Sequence, residues 1–164
     1  MSLRFGIITA SDRAARGERQ DISGPALAEF ITSQGWFVVR MAILSDDLQL
    51  LRETLTAWVD GDEMDIILTT GGTGFAPRDI TPEATLAVVD RLAPGLTEAM
   101  RTANLAVTPN AMLSRAVAGI RGKILLINLP GSPKAAVENL RVIIPVLPHA
   151  VQLLREDPTA ESSH

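Results

Sequence analysis

The residues of this 164-residue chain most suited to chemistry begin with a loop at 69–74, which reads Thr-Thr-Gly-Gly-Thr-Gly. Its glycines let the backbone take φ > 0 and let a ligand approach the amides closely. Hydroxyls at Thr69, Thr70 and Thr73 beside such amides suit phosphate oxygens. No Gly-Lys-Ser/Thr follows, so this is not a Walker loop, and the Gly-x-Gly-x-x-Gly spacing of dinucleotide sites is missing. Asp79 follows shortly after, in Pro-Arg-Asp-Ile-Thr-Pro (77–82). A carboxylate beside a phosphate loop repels the ligand unless a cation lies between them. Mg²⁺, held by one or two carboxylates plus phosphate oxygens, is the ordinary solution. Asp46 and Asp47 begin a helix after the second expected strand and could supply a second carboxylate. Plainer roles exist for each: a strand-to-helix turn for the glycines, an N-cap for Asp46, a turn-stabilising acid for Asp79.

Other candidates are weaker when read alone. Asp12, Asp21 and Ser23 lie near the end of the first predicted strand, as a solvated acid, an Asx turn and a helix cap, or as ligand groups. Arg115, in Ser114-Arg115, could clamp a phosphate or be a surface charge. Leu-Pro-Gly-Ser-Pro (129–133) could be a second anion-accepting helix start or a rigid turn.

The elements that must position these residues alternate in type. Apolar runs at 3–8, 36–44, 64–70 and 123–128 read as strands, and helices are expected over 46–60, around 95–106, and after Ser23-Gly24-Pro25, Thr81-Pro82-Glu83 and Ser132-Pro133. Thr81 is expected as the N-cap of its helix, with Pro82 at N1, and a short segment over 112–117 follows a loop. Trp36 and Trp58 fall on core spacings and are read as packing. This alternation predicts an α/β protein of one domain over 1–155, built on a mostly parallel sheet whose near-continuous apolar strands are covered by helices on both faces, with a polar tail at 156–164. In such sheets ligands bind beyond the carboxyl ends of the strands, so 9–12, 69–74 and 128–133 should open onto one edge. That convergence locates the site.

Composition narrows the field. The balance of 15 Lys+Arg against 19 Asp+Glu gives a net charge of −4, which argues against a general nucleic-acid binder. There is no cysteine and only two histidines, so Cys-ligated metal sites are excluded and a multi-histidine site is disfavoured. The opening residues lack a signal layout, and no apolar run reaches the roughly 18 residues of a membrane span; a cytoplasmic protein is expected. Only two of the basic residues are lysines, so a polyphosphate here must be neutralised by arginine, backbone amides and a metal.

Taken in order, Thr-Ala-Ser-Asp (9–12), Asp-x-Ser-Gly-Pro (21–25), the 69–74 loop, Pro-Arg-Asp-Ile-Thr-Pro-Glu-Ala (77–84), Pro-Gly-Leu (94–96), Leu-Ser-Arg (113–115) and Asn-Leu-Pro-Gly-Ser-Pro (128–133) resemble the molybdopterin adenylyltransferase family, the bacterial Mog proteins and the G domains of plant and animal molybdenum-cofactor proteins. The resemblance runs over about 4–154. It implies a three-layer α/β/α domain, a homotrimer, and Mg²⁺-dependent transfer of AMP from ATP to the terminal phosphate of molybdopterin, with a molybdate-insertion protein downstream. Motif by motif it implies two essential aspartates at Asp46, with adjacent Asp47 as the alternative, and Asp79, both also as metal ligands. It places the nucleotide at Gly71, Gly72, Thr73 and Gly74, and the pterin around Ser11, Asp12, Ser114, Arg115, Pro130, Gly131 and Ser132. Rival readings are a non-catalytic pterin-binding or scaffold homologue, a molybdate-insertion domain, and an unrelated dehydrogenase. The last lacks its fingerprint.

Overall fold

A computed structural model describes residues 1–160 and contains a six-stranded sheet in the order β2-β1-β3-β6-β5-β4. Strands β1 (Arg4–Ala10), β2 (Phe37–Leu44), β3 (Ile66–Thr70) and β6 (Ile124–Leu129) run parallel, while β5 (Ala118–Arg121) and β4 (Arg91–Leu92) pair antiparallel at one edge. The helices are α1 (Asp12–Ala15), α2 (Ser23–Ser33), α3 (Leu48–Asp60), α4 (Thr81–Leu86), α5 (Pro94–Leu105), α6 (Pro133–Ile143) and α7 (Leu147–Leu154), with 3₁₀ turns at Pro109–Leu113 and Ile144–Val146.

The two-residue period of the central strands sorts their side chains onto two cores. Phe5, Ile7, Ile66, Leu68, Leu125 and Ile127 face one side, where Leu27 and Ile31 of α2, Met100 of α5 and Leu140 of α6 cover them. Ile8, Ile67 and Leu126 face the other, against Leu51, Leu55 and Trp58 of α3 and Ala84 of α4. Each fully buried large apolar side chain of this kind contributes about 1.5–3 kcal/mol. This is the three-layer α/β/α arrangement expected. Trp58 packs in the second core, and Trp36 stacks on Phe5 with ring centroids 5.6 Å apart. Among the described residues no helix is long and apolar enough to cross a membrane.

Several details differ from expectation. Strands β1, β3 and β6 are buried along their length, but β2 is an edge strand with Phe37, Val39, Met41 and Ile43 exposed. The polar stretch after β1 opens with the short helix α1, capped by Ser11, whose hydroxyl accepts from the Ala14 amide. Strands β4 and β5 have no counterpart among the expected strands; β5 contains Gly119 and Arg121 and is held by its pairing with β6 rather than by an apolar run. Pro148, which interrupts an apolar run of the sequence, lies in the first turn of α7, where a missing N–H costs nothing. The cap of α4 is Ile80, not Thr81, and α2 begins without a side-chain cap. Of the polar tail, 161–164 lie outside the described residues, and Ala160 is buried.

Candidate functional site

Because β1, β3 and β6 are parallel, their carboxyl ends meet at one edge, and 9–12, 69–74 and 128–133 come together there. A cavity of about 480 Å³ opens between them, lined by Ser11, Asp46, Asp79, Gly71, Gly72, Gly131 and Ser132 among others. A second cavity, about 430 Å³, lies on the far side of the glycine loop and is lined by Thr73, Gly74, Ser114 and Pro130, with Arg101, Asn104 and Asn139 supplying polar groups. The sequence-predicted residues therefore divide between two adjoining hollows. Asp12 and Arg115 line neither.

The loop that separates the cavities requires its glycines. Gly71 and Gly72 adopt φ of 99° and 68°. A Cβ on Gly71 would strike the Ala10 carbonyl oxygen, and one on Gly72 would strike the Thr81 hydroxyl and lie 3.2 Å from Asp46 Oδ1. The loop is pinned from below: Gly71 N–H donates to Leu129 O at 3.1 Å and Thr70 Oγ1 to Pro130 O at 2.7 Å. Buried Asn128 donates to the hydroxyls of Thr69 and Thr85 and accepts from Val117 N–H, welding β3, α4 and β6 together. From α2, the Ser23 hydroxyl donates to the Gly131 carbonyl, and Asp21 accepts from Thr9 Oγ1 and Gly24 N–H, so both act as turn-holding groups.

The two predicted essential carboxylates share the first cavity but are held differently. Asp79 Oδ2 accepts from Gly74 N–H and Ala76 N–H, both at 3.1 Å, and thereby closes the loop on itself. Asp46 Oδ2 accepts from Asp12 N–H at 3.0 Å, and Asp46 N–H donates to Asp12 Oδ1 at 3.0 Å, a reciprocal pair joining the ends of β1 and β2. Asp47 is the N-cap of α3, accepting from Leu50 N–H, so the cap role falls to Asp47 and Asp46 faces the cavity. Burial raises the Asp46 carboxyl above its ordinary value, the carboxylates of Asp12 and Asp79 push the same way, and the Asp12 amide and the Arg78 charge oppose them. The Asp12 carboxyl sits below its ordinary value because Arg78 hydrogen-bonds to it.

Two buried oxygens here, Asp46 Oδ1 and Thr81 Oγ1, have no hydrogen-bond partner, and they flank the same side of Gly72. An unpaired buried oxygen costs about 1–3 kcal/mol, which points to a group that binds there. Among the described residues no cluster of three or more His, Cys, Asp or Glu could hold a metal unaided. The residues that could share in holding a hard cation with phosphate oxygens, the usual manner of Mg²⁺, are Asp46 and Asp79.

Arg115, expected at the pterin site, is tied to the glycine loop itself. Its guanidinium donates to Gly74 O at 2.7 Å and Asp79 O at 2.6 Å and pairs with Glu83, and its own N–H donates to Thr73 O at 2.8 Å. All three guanidinium nitrogens are engaged by the protein, so Arg115 braces the loop that carries Asp79. Sequence reasoning misses Arg78, Thr81 and Asn128 as site-building residues. Arg78 and Thr81 lie in the 77–84 motif, which is the available signal; the partner of Arg78 is 66 residues away, beyond any periodicity.

The family model described as "Probable molybdopterin binding domain" matches residues 6–149. The chain belongs to this family. Its relatives include the molybdopterin adenylyltransferase of Helicobacter pylori (strain ATCC 700392 / 26695), 42% identical over 157 residues and covering 93% of this chain and 88% of that one. The Escherichia coli K12 molybdopterin adenylyltransferase is 41% identical over 176 residues, covering 99% of this chain and 90% of the relative. Among solved structures, the molybdopterin biosynthesis enzyme MoaB of Thermus thermophilus superposes with a TM-score of 0.89 at 48% identity, covering 95% of this chain and 98% of that chain. The site residues of this family member all fall inside the matched range.

Proposed function

We propose that this protein is a nucleotidyltransferase of molybdenum-cofactor biosynthesis, which transfers AMP from ATP to the terminal phosphate of molybdopterin and releases pyrophosphate. The observation that carries the reading is the pair of aspartates at the glycine loop, one with a buried oxygen lacking a partner, in a chain about 41% identical to relatives of that name. In the reaction a phosphate oxygen of molybdopterin attacks the α-phosphorus of ATP. A new phosphoanhydride bond forms, the bond from the α-phosphorus to the bridging oxygen breaks, and pyrophosphate carries away the electron pair. The attacking group is already an anion, so no serine, cysteine or histidine nucleophile is required.

What remains for the protein is placement and charge neutralisation. The amides of Gly72 and Thr73 receive phosphate oxygens, since those of Gly71 and Gly74 are already held by Leu129 O and Asp79 Oδ2. Asp46 and Asp79 would hold Mg²⁺, which when bound would offset the charge that builds on the departing pyrophosphate. The acidic cavity takes the ion and triphosphate, while the adjoining hollow at Ser114 and Pro130, with the amides of Asn104 and Asn139, suits a pterin edge that both donates and accepts hydrogen bonds. Ser11, Gly131 and Ser132, which line the first cavity, are assigned to the molybdopterin phosphate that must reach the α-phosphorus there. The same reading places the protein in the cytoplasm as a homotrimer, to which the exposed apolar residues of edge strand β2 are suited, with a molybdate-insertion protein taking the product.

The test is Asp79→Asn, assayed for pyrophosphate release with molybdopterin and ATP·Mg²⁺. Loss of about 10²-fold or more in turnover is expected, the scale of removing one electrostatic group from a transition state. Turnover close to wild type would remove Asp79 from the mechanism.

A further inference from the structure

We propose that Arg78 is a positioning residue that holds Asp46 in its metal-ligating orientation by acting through Asp12. The inference rests on the reading of Asp46 as a metal ligand and adds to it a residue that lines neither cavity. The connection is continuous. Arg78 Nε and Nη2 grip the Asp12 carboxylate from two sides, the Nη2 contact at 2.9 Å, and Nη2 also donates to the Asp46 carbonyl oxygen at 3.1 Å. The same Asp12 carboxylate accepts the Asp46 N–H, and the Asp12 N–H in turn donates to Asp46 Oδ2. One oxygen of Asp46 is thus tied down by the β1 end, which leaves the partnerless Oδ1 facing Gly72.

Physical necessity lies behind the arrangement. Asp12, Asp46 and Asp79 gather near one another, and without a cation a single hydrogen bond from the Asp46 amide is all that holds the Asp12 carboxylate against their repulsion. The two-pronged Arg78 fork fixes both its position and its rotation, which a point charge cannot do. Arg78 itself is 66% exposed, so its contribution is geometric rather than a matter of core packing, and its loss leaves the buried cores intact. Groups that orient metal ligands from behind typically matter by about 10–100-fold in metal affinity or activity.

The experiment measures Mn²⁺ binding to the full chain by electron paramagnetic resonance, alone and with ATP, for wild type, Arg78→Ala, Arg78→Lys, Asp12→Ala and the Asp12→Ala/Arg78→Ala double variant. Thermal melting is followed for each. Expected are a roughly tenfold or greater loss of Mn²⁺ affinity in Arg78→Ala with little change in melting temperature, and partial recovery in Arg78→Lys. In turnover, the Mg²⁺ concentration for half-activity should rise more than the saturated rate falls. If Arg78 works through Asp12, the double variant should bind no more weakly than Asp12→Ala alone, since residues acting in one chain are not additive. Wild-type affinity in Arg78→Ala, tighter binding in it, or additive losses would each overturn the brace while leaving the metal reading standing. Wild-type protein that binds no Mn²⁺ even with ATP would overturn both.

Discussion

Two partly or fully buried aspartates at opposite ends of the sheet illustrate what a carboxylate can be for. Asp65 precedes β3 at the amino end, is 3% exposed, and meets Arg4 and Arg155. Asp46 follows β2 at the carboxyl end, meets a backbone amide, and keeps one oxygen without a partner. Burial favours the neutral acid at both positions. At Asp65 the hydrogen bonds from the Arg4 side chain and amide and from Arg155 outweigh it, so its carboxyl lies below the ordinary value; at Asp46 nothing does, so its carboxyl lies above. A satisfied charge staples the chain. In the reaction proposed above, the unsatisfied one meets the metal.

The sharpest way to break this contrast is Asp46→Asn, which keeps the shape and removes the charge. Turnover should fall by about 10²–10³-fold, with stability within about 1 kcal/mol of wild type by thermal melting. A large stability loss with preserved turnover would make Asp46 a second staple. The converse test is Asp65→Ala, expected to cost about 2 kcal/mol, since Arg4 and Arg155 are partly exposed and can be rehydrated. For a chain of this size that lowers the melting temperature by roughly 4–8 °C, and the saturated rate of pyrophosphate release should not change.

The pH dependence of stability sharpens the same point. The folded value of Asp65 is lowered, so its stabilisation is fully present above the unfolded carboxyl value near 4 and is lost as pH falls through the folded value. Urea melts between pH 7 and pH 3 should show a smaller acid-induced loss in Asp65→Ala than in wild type. Thr81→Val has the smallest expected effect. Removing the partnerless hydroxyl should stabilise the protein slightly and slow turnover roughly fivefold, the equivalent of one hydrogen bond of about 1 kcal/mol. Unchanged turnover would assign that oxygen no part in the loaded site.

How far the sequence reveals this architecture depends on how local each determinant is. Strands β1, β3 and β6 are legible because helices cover both their faces and their residues form near-continuous apolar runs; the convergence of their ends follows from parallel pairing. The glycine loop is legible because positive φ and close backbone contact exclude other residues. Strands β4 and β5 are not, because neither has an apolar run and both exist through pairing with a neighbour that the chain meets later. Asp46 and Asp47 are indistinguishable by type, and only the start of α3 decides which one caps. Arg115 reads equally well as a clamp or a surface charge, since its acceptors are backbone carbonyls that no sequence pattern marks. Asp12 matches a motif, but its bonds to Asp46 and Arg78 span 34 and 66 residues and emerge only with the fold.

The glycine loop has one consequence for chemical probes. It is a wall a single chain thick, with Gly71 and Gly72 bordering one hollow and Thr73 and Gly74 the other. With the two substrates in the two hollows as proposed above, a tethered bisubstrate compound, carrying a nucleotide at one end and a flat heterocycle at the other, would need only a short spacer to straddle it. Once one end docks, the other is presented at an effective concentration on the order of millimolar, so two weak fragments become one tight inhibitor without any new contact.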